Sequence, residues 1–247
     1  MSLKSCNAAV LAECGRLPAY IDSQIKCLKY WLKLIELPNY RYAKKCYNML
    51  RHFDNANKIN WASHVKHLLC VNGYRYVWEQ QTVGNKNVFI IQFKQRLIDQ
   101  YFQDWHNTIQ ETSKLYLYRT IKLSYGLDKY TCVLNIRKFR HLYCSFKIGS
   151  LDLHIQSGRY NNIPREQRLC KLCTLEVEDE YHFLLKCPMY NELRNIYIPA
   201  KYITNPNHHK FVLLMTCKNE KIILNVANYI YMAYRERNTF LRNMIIE

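Results

Sequence analysis

The sequence has few of the residues that interrupt secondary structure. Its 247 residues include only 6 Gly and 6 Pro, below the average usage of about 7% and 5%. Because Gly and Pro mark turns, their scarcity disfavours a many-stranded sandwich and favours long helices joined by few turns. We therefore predict a mainly α, multi-helix fold with few or no strands.

Long apolar runs are also missing. No run approaches the ~18 residues that a membrane span requires, and residues 1–18 lack the basic and apolar regions of a signal peptide. We expect an intracellular protein, nuclear or cytoplasmic, without a membrane partner. The 11 Cys fall below the ~8–10% of a disulfide scaffold, so most thiols should be reduced.

Acidic residues are scarce relative to basic ones. Lys and Arg number 36 against 19 Asp and Glu, which gives a net charge of +17. Such an excess favours polyanionic partners, and a charge of about 2 to 8 already suffices for solubility. We predict RNA and/or DNA as the partner and no small-molecule substrate. The alternative is that the charge only keeps the protein in solution.

Apolar periodicity predicts several helices in the first half of the chain. A short helix over 1–15 should be closed by Gly15, and an amphipathic helix should end at Leu37-Pro38. Further helices are predicted over 42–53, 61–70 and 87–110. Asn60 is a suitable N-cap for the helix over 61–70. The apolar residues of the second helix recur at three- and four-residue steps: Ile21, Ile25, Leu28, Leu32 and Ile35.

We divide the chain into four regions by composition. They are a helical region (1–118), a basic aromatic-rich stretch (119–168), a CCHC zinc knuckle (169–198) and a C-terminal helical segment (199–247). In the last region, 199–209 reads as a linker and 211–241 as helix. Arg235, Arg237 and Arg242 cluster near the end of that helix, where cations suit the helix dipole.

The stretch 119–168 contains ten basic and three acidic residues, interleaved with Tyr and Phe. Cations beside stackable rings are typical of surfaces that bind a nucleic-acid strand, although Tyr is abundant throughout this chain. We predict nucleic-acid contacts from nine residues: Arg119, Lys122, Arg137, Lys138, Arg140, Lys147, Arg159, Arg165 and Arg168.

The most specific pattern is C-x2-C-x8-H-x4-C, formed by Cys170, Cys173, His182 and Cys187. Two Cys two residues apart form a tight turn whose thiolates converge on one ion, and a His and a Cys complete a tetrahedron. Four protein ligands leave no open position for water, so the pattern predicts structural Zn²⁺. The predicted fold is thus a multi-helix domain with an embedded CCHC zinc knuckle.

Two other interpretations of this pattern stay open. The four residues could be buried Cys and His without a metal, or the Cys-x-x-Cys pair could serve redox chemistry, although no βαβ pattern surrounds it. The acids from Glu178 to Glu180 stand where a helix carrying His182 would begin. Because the acidic segment 176–180 would repel phosphates, we expect zinc to stabilise a platform while the preceding basic stretch makes the contacts.

The segments Arg168–Cys173 (RLCKLC) and Val177–Arg194 (VEDEYHFLLKCPMYNELR) resemble the C-terminal zinc-binding region of non-LTR (LINE-like) retrotransposon reverse transcriptases. Gly158–Arg168 is similar to the approach to that region, and Gly15–Pro18 with Lys29–Leu32 is loosely similar to the helices that precede it. The resemblance implies zinc ligation by the four residues of the pattern and handling of RNA or DNA during target-primed reverse transcription.

The resemblance does not extend to catalysis. That family's polymerase requires an aromatic-x-Asp-Asp motif, and no Asp-Asp pair occurs in this sequence. No carboxylate cluster typical of an endonuclease or ribonuclease H is recognisable either. We therefore predict a non-catalytic C-terminal fragment that binds nucleic acid and works with a polymerase domain encoded upstream. The alternative is a structural or protein-interaction module in which zinc only stabilises a helical scaffold. An enzyme is the third hypothesis, but no P-loop or nucleophile elbow supports it.

Overall fold

A computed structural model describes residues 6–246. It is 71% helical, and its described residues contain no sheet, only an isolated antiparallel bridge between Leu169 and Val177. The prediction of a mainly α, multi-helix fold is confirmed. Residues 1–5, part of the first predicted helix, lie outside the described residues.

The chain forms two compact units. The smaller unit comprises Leu17–Asp104, and the larger comprises Met1–Arg16 and Trp105–Glu247. The helices are α1 (Asn7–Glu13), α2 (Ala19–Glu36), α3 (Tyr42–Asn55), α4 (Trp61–Val71), α5 (Arg75–Gln80), α6 (Lys86–Glu111), α7 (Tyr118–Ile121), α8 (Lys129–Val133), α9 (Arg137–Lys147), α10 (His154–Tyr160), α11 (Asn191–Tyr197), α12 (Ala200–Ile203), α13 (His208–Met215) and α14 (Glu220–Ile246). None of the described helices is both long and apolar enough to cross a membrane.

The smaller unit contains α2 to α5 and most of α6. α2 ends at Glu36, directly before Leu37-Pro38 as predicted, and α3, α4 and the long α6 confirm the other helix predictions. At the centre of this unit, the Trp31 indole N–H donates to the Tyr47 hydroxyl at 2.8 Å. The same indole stacks on Trp78 with ring centroids 6.1 Å apart. Burial of these aromatic rings joins α2, α3 and α5.

The N-terminus of α4 carries the predicted cap. The Asn60 side-chain oxygen accepts a hydrogen bond from the Ala62 N–H at 2.8 Å, and the Ser63 hydroxyl accepts from the Asn60 N–H at 3.1 Å. This reciprocal pair forms a capping box, which satisfies N–H groups that have no partner inside the helix. The prediction of Asn60 as N-cap is confirmed.

Replacing Asn60 by Ala should lower the free energy of unfolding by about 1 kcal/mol, since it removes the acceptor for the first turn of α4. Urea denaturation of the full chain, followed by far-UV circular dichroism, measures the change. Asn48 is exposed inside α3 and caps no helix, so Asn48→Ala is the matched control and should not destabilise. Equal stability of the Asn60 variant and the wild type would contradict the role of the cap.

The larger unit is organised around α14, which packs against α8, α9 and α11. Its buried residues include Ile223, Val226 and Ile230. The prediction of helix over 211–241 is confirmed except at residues 216–219, where the chain breaks between α13 and α14. The prediction of a linker over 199–209 is wrong, because this segment contains α12 and the start of α13. The N-terminus of α14 is capped by Asn219, whose side chain accepts from the Ile222 N–H at 3.2 Å.

Gly15 closes α1, as predicted. Its φ of +59° is a left-handed conformation that residues with a Cβ adopt rarely, and a Cβ at this position would lie 2.6 Å from the Leu127 backbone nitrogen. The Arg16 N–H then returns to the Leu11 carbonyl at 3.0 Å. This turn fixes the direction in which the chain leaves α1 and, with it, the position of Arg16.

Candidate metal centre and predicted nucleic-acid contacts

The structure brings together the four residues of the Cys/His pattern. One ligand atom from each of Cys170, Cys173, His182 and Cys187 lies within 4.8 Å of the other three. The Cys170 and Cys187 sulfurs are 3.9 Å apart, far longer than a disulfide bond. The Cys173 sulfur lies 3.3 Å from His182 Nε2. This group of side chains, which we call the Cys3His cluster, could hold a metal ion.

A tight turn positions the first two ligands. The Cys170 N–H donates to the Glu176 carbonyl at 2.8 Å, and the Thr174 N–H donates back to the Cys170 carbonyl at 2.8 Å. Thr174 has a φ of +57°, which reverses the chain immediately after Cys173. The bridge between Leu169 and Val177 closes the base of this turn. Both thiols therefore face the same point from one short loop.

A π-helical turn, His182–Lys186, positions the other two ligands. The Cys187 N–H donates to the His182 carbonyl at 2.8 Å, five residues back. At its start, the Asp179 carboxylate accepts from the His182 N–H at 2.9 Å. An acid at this helix N-terminus confirms the expectation for this segment and suits the helix dipole. Insertions of this type in helices occur frequently at functional sites.

Arg194 of α11 holds the end of the π-helical turn. Its buried guanidinium group donates to the Leu184 carbonyl at 3.1 Å and to the Cys187 carbonyl at 2.7 Å. The Tyr229 hydroxyl of α14 donates to the Phe183 carbonyl at 2.6 Å. These bonds satisfy carbonyls at the helix end, so the backbone that carries His182 and Cys187 is fixed by two other helices.

Hydrogen bonds within the Cys3His cluster are enough to favour ionisation of one of its thiols. Hydrogen bonds from the Cys187 and His182 side chains lower the pKa of Cys170 to about 3 despite burial. The hydrogen bond to Cys170 and burial raise the pKa of the Cys187 thiol far above its usual range. These two facing sulfurs, 3.9 Å apart, titrate as a pair, so the first of their two protons leaves far more readily than the second.

His182 uses its two ring nitrogens differently. Nε2 faces the Cys173 sulfur, whereas Nδ1 is buried without a hydrogen-bond partner and lies 3.7 Å from a Glu176 carboxylate oxygen. Lys186 holds that carboxylate with contacts of 2.6 and 2.7 Å. A carboxylate behind a ligating imidazole is a common way to orient the ring toward a metal.

Glu178 joins the cluster to α14. Both of its carboxylate oxygens accept hydrogen bonds from Arg237, at 2.6 and 2.8 Å, and both side chains are almost fully buried. One carboxylate oxygen lies 4.0 Å from the Cys170 sulfur, and the other accepts from the His154 N–H at 2.6 Å. The interpretation of Arg237 as a cation near the end of a helix is therefore corrected, because it is a buried partner of an acid 59 residues away.

The other acids of the segment 176–180 are also accounted for. Asp179 accepts a hydrogen bond from Arg165 at 3.2 Å, and Glu176 is paired with Lys186. Glu180 is buried, and this burial raises its pKa to about 7. With three acids neutralised by basic partners, this segment repels phosphates less than its sequence indicates.

The nine predicted nucleic-acid contacts occupy different environments. Arg137, Lys138 and Arg165 are exposed, whereas Lys122 and Lys147 are buried. Four are half-buried, and each donates to a backbone carbonyl: Arg119 to Gln110, Arg140 to Leu134, Arg159 to Ser113 and Arg168 to Ile163 and Ile155.

The structure corrects the assignment of Lys122 and Lys147. Lys147 contacts both oxygens of the buried Glu13, at 3.2 and 3.0 Å, and also pairs with Asp128. Lys122 lies 3.2 Å from Asp128 and 3.7 Å from Glu13. The ammonium groups of both lysines are thus taken up by acids inside the larger unit, since a buried charge requires a partner. They tie α1 to the rest of the unit and are not available to phosphates.

Three residues that position the Cys3His cluster and the buried lysines were not predicted from the sequence. Arg194 and Arg237 looked like ordinary helix cations, and Glu13 looked like part of a short apolar helix. For Glu13 the sequence did contain a signal. A negative charge near the C-terminus of a helix is unfavourable with the helix dipole, which indicates that the acid has a basic partner elsewhere. For the two arginines, only the fold supplies their partners.

These observations define the protein as a mainly α chain with a Cys3His cluster that could hold a metal ion. No family model, no curated protein and no solved structure matches it.

Proposed function

We propose that this chain binds nucleic acid and that a structural zinc ion, held by the Cys3His cluster, stabilises the larger unit for that purpose. The observation that carries the proposal is the convergence of four ligand atoms within 4.8 Å from a pattern with knuckle spacing. The net charge of +17 supplies the attraction for a polyanion.

The chemistry of the cluster favours zinc. Three thiolates and one imidazole are soft ligands that select Zn²⁺ over Mg²⁺ or Ca²⁺. Tetrahedral Zn²⁺ with Zn–S bonds of about 2.3 Å places its sulfurs about 3.8 Å apart, and Cys170 and Cys187 are separated by 3.9 Å. When bound, the ion joins the Cys170–Cys173 turn to the π-helical turn. With all four positions filled by protein, its role is structural.

The nucleic-acid proposal depends on the cations that stay accessible. Tyr116 is 46% exposed, and two guanidinium groups lie over its ring: Arg119 at 5.0 Å and Arg165 at 5.4 Å from the centroid. Arginines around an exposed ring offer charge for phosphates and a face on which a base stacks. This arrangement supports the role predicted for Arg119 and Arg165, and Arg165 stays exposed although it also donates to Asp179 at 3.2 Å.

We infer that the chain binds and does not catalyse, and that it corresponds to the C-terminal zinc-binding region of a non-LTR retrotransposon reverse transcriptase. The resemblance of residues 158–194 supports this assignment, together with the ligand geometry of that segment. A polymerase domain encoded upstream would then be its second partner.

Fluorescence anisotropy of the zinc-loaded protein tests the proposal, with labelled single-stranded RNA, single-stranded DNA and duplex DNA at two salt concentrations. We expect binding whose logarithm falls with the logarithm of salt concentration, with a slope of about −0.7 per neutralised phosphate for single strands and about −0.9 for duplex. The ranking of the three probes identifies the preferred nucleic acid.

Labelled poly-glutamate of equal length is the control probe, because it has charge but neither bases nor phosphates. Equal affinity for poly-glutamate would show that binding reflects charge alone. No binding of any nucleic acid at low salt would reject the proposal and favour the protein-interaction module.

A further inference from the structure

A groove of about 590 Å³ lies in the larger unit, between the end of α1 and the face of α9. Its lining includes three arginines, Arg16, Arg137 and Arg140, and no acidic residue. Val10, Leu127 and Ile148 also line it and provide apolar surface. We call this feature the arginine groove.

The cations of the arginine groove are not neutralised. Within residues 6–246, none of the three guanidinium groups forms an ion pair with a carboxylate. Arg16 and Arg137 are exposed, and Arg140 spends one donor on the Leu134 carbonyl at 3.3 Å. Lys147, on the same helix, is fully paired with Glu13 and Asp128. The groove therefore keeps its positive charge. In contrast, the charges of Lys122 and Lys147 nearby are neutralised by Glu13 and Asp128.

The start of α9 adds a second attraction for an anion. α9 is 11 residues long, no side chain caps its N-terminus and its first turn contains no acid. The first-turn N–H groups carry partial positive charge, so Arg137 and Arg140 near this end are unfavourable for the helix itself. An anion placed here would relieve that repulsion and accept hydrogen bonds from both the side chains and the helix end. A local arrangement that costs stability in this way is expected at a functional site.

The apolar part of the groove indicates what kind of anion fits. Leu127, which lines the groove, is 61% exposed. An exposed apolar side chain beside guanidinium groups can cover the face of an unstacked base while the guanidinium groups bind the adjacent phosphate. The bases of a duplex are stacked inside and cannot reach a concave surface of this kind.

We propose that the arginine groove binds the phosphodiester backbone of a single-stranded nucleic acid, with one base against Leu127. This inference rests on the proposed function and assigns that function a location. Lys138 does not line the groove, and its ammonium lies over the Tyr231 ring of α14, 4.7 Å from the centroid.

Thiol footprinting of the full, zinc-loaded chain tests the location directly. Cys14 and Cys132 line the groove and are exposed, and Cys46 is exposed on α3 in the smaller unit. A saturating single-stranded oligonucleotide should slow alkylation of Cys14 and Cys132 at least about threefold. Alkylation of Cys46 should be unchanged, which makes it an internal control. Absence of protection at both groove cysteines, with the oligonucleotide bound, would overturn the inference.

A charge-matched pair of variants tests the contribution of the arginines. Arg137→Gln with Arg140→Gln removes two charges from the groove, and Lys26→Gln with Lys29→Gln removes two from the exposed face of α2. The groove variant should bind single strands at least about tenfold more weakly, with a salt slope smaller by about 1.4. The α2 variant should change affinity by less than about twofold. Circular dichroism and zinc content verify that both variants fold.

The outcomes separate this inference from the proposed function. If the wild type binds no nucleic acid at all, the proposed function is wrong and the groove assignment falls with it. If the wild type binds nucleic acid but both double variants lose the same amount of affinity, only the groove assignment is wrong. Equal protection of Cys14 and Cys132 by a duplex would overturn the assignment to single strands.

Discussion

Replacing Cys173 by Ser should abolish tight zinc binding and unfold the segment 169–198. Cys173 supplies one of four ligands, and its neighbour Thr174 depends on the same turn. Structural zinc contributes on the order of 10 kcal/mol in small zinc-finger peptides, comparable with the whole stability of a typical domain, about 5–15 kcal/mol. Even a fraction of that coupling is a large loss here, because α11 and α14 both bond to backbone that the ion would hold.

Zinc content by mass spectrometry and thermal unfolding by circular dichroism measure this loss. Cys46→Ser makes the same chemical change at an exposed position outside the cluster and should retain zinc and stability. The smaller unit, whose core does not include the cluster, should keep its helices in the Cys173 variant. Full zinc occupancy in Cys173→Ser would refute this ligand set.

Replacing Arg237 by Met should cost about 3–5 kcal/mol of unfolding free energy, since it leaves Glu178 as a buried carboxylate without its partner. That carboxylate lies 4.0 Å from the Cys170 sulfur. Two negative groups would then face each other in a buried site, so zinc affinity should fall together with stability.

Arg235 lies two residues earlier on α14 and is exposed, so Arg235→Met is the matched control, with an expected effect within about 0.5 kcal/mol. Adding Glu178→Gln to Arg237→Met should recover part of the loss, because the remaining amide is neutral and still accepts from the His154 N–H. Denaturant titration of the wild type and the three variants measures these differences. If the Arg237→Met variant were as stable as the Arg235→Met variant, the importance of the buried pair would be contradicted.

Local signals in the sequence predicted the smaller unit well. Periodicity and a cap at Asn60 are properties of short segments, and they determine where α2, α4 and α6 begin and end. The break inside the predicted helical segment 211–241 is marked by a comparable signal. Asn219 precedes Glu220, and its side-chain oxygen caps the N-terminus of α14, as the side-chain oxygen of Asn60 does for α4.

The Cys3His cluster was predictable for a related reason. Its ligands lie within 18 residues, so spacing alone constrains how they meet. Buried ion pairs lack such a constraint: Lys147 finds Glu13 across 134 residues, and Arg237 finds Glu178 across 59. From the sequence, each of these cations was indistinguishable from the exposed arginines nearby. Charge composition therefore predicted a basic chain, but it did not predict which cations remain free.

We propose that three thiolates and one imidazole hold a zinc ion on which the larger unit depends. X-ray absorption spectroscopy of the zinc-loaded chain tests it most directly. We expect a four-coordinate ion with three sulfurs at about 2.3 Å and one nitrogen at about 2.0–2.1 Å. A shell dominated by oxygen, or one with fewer than three sulfurs, would contradict it.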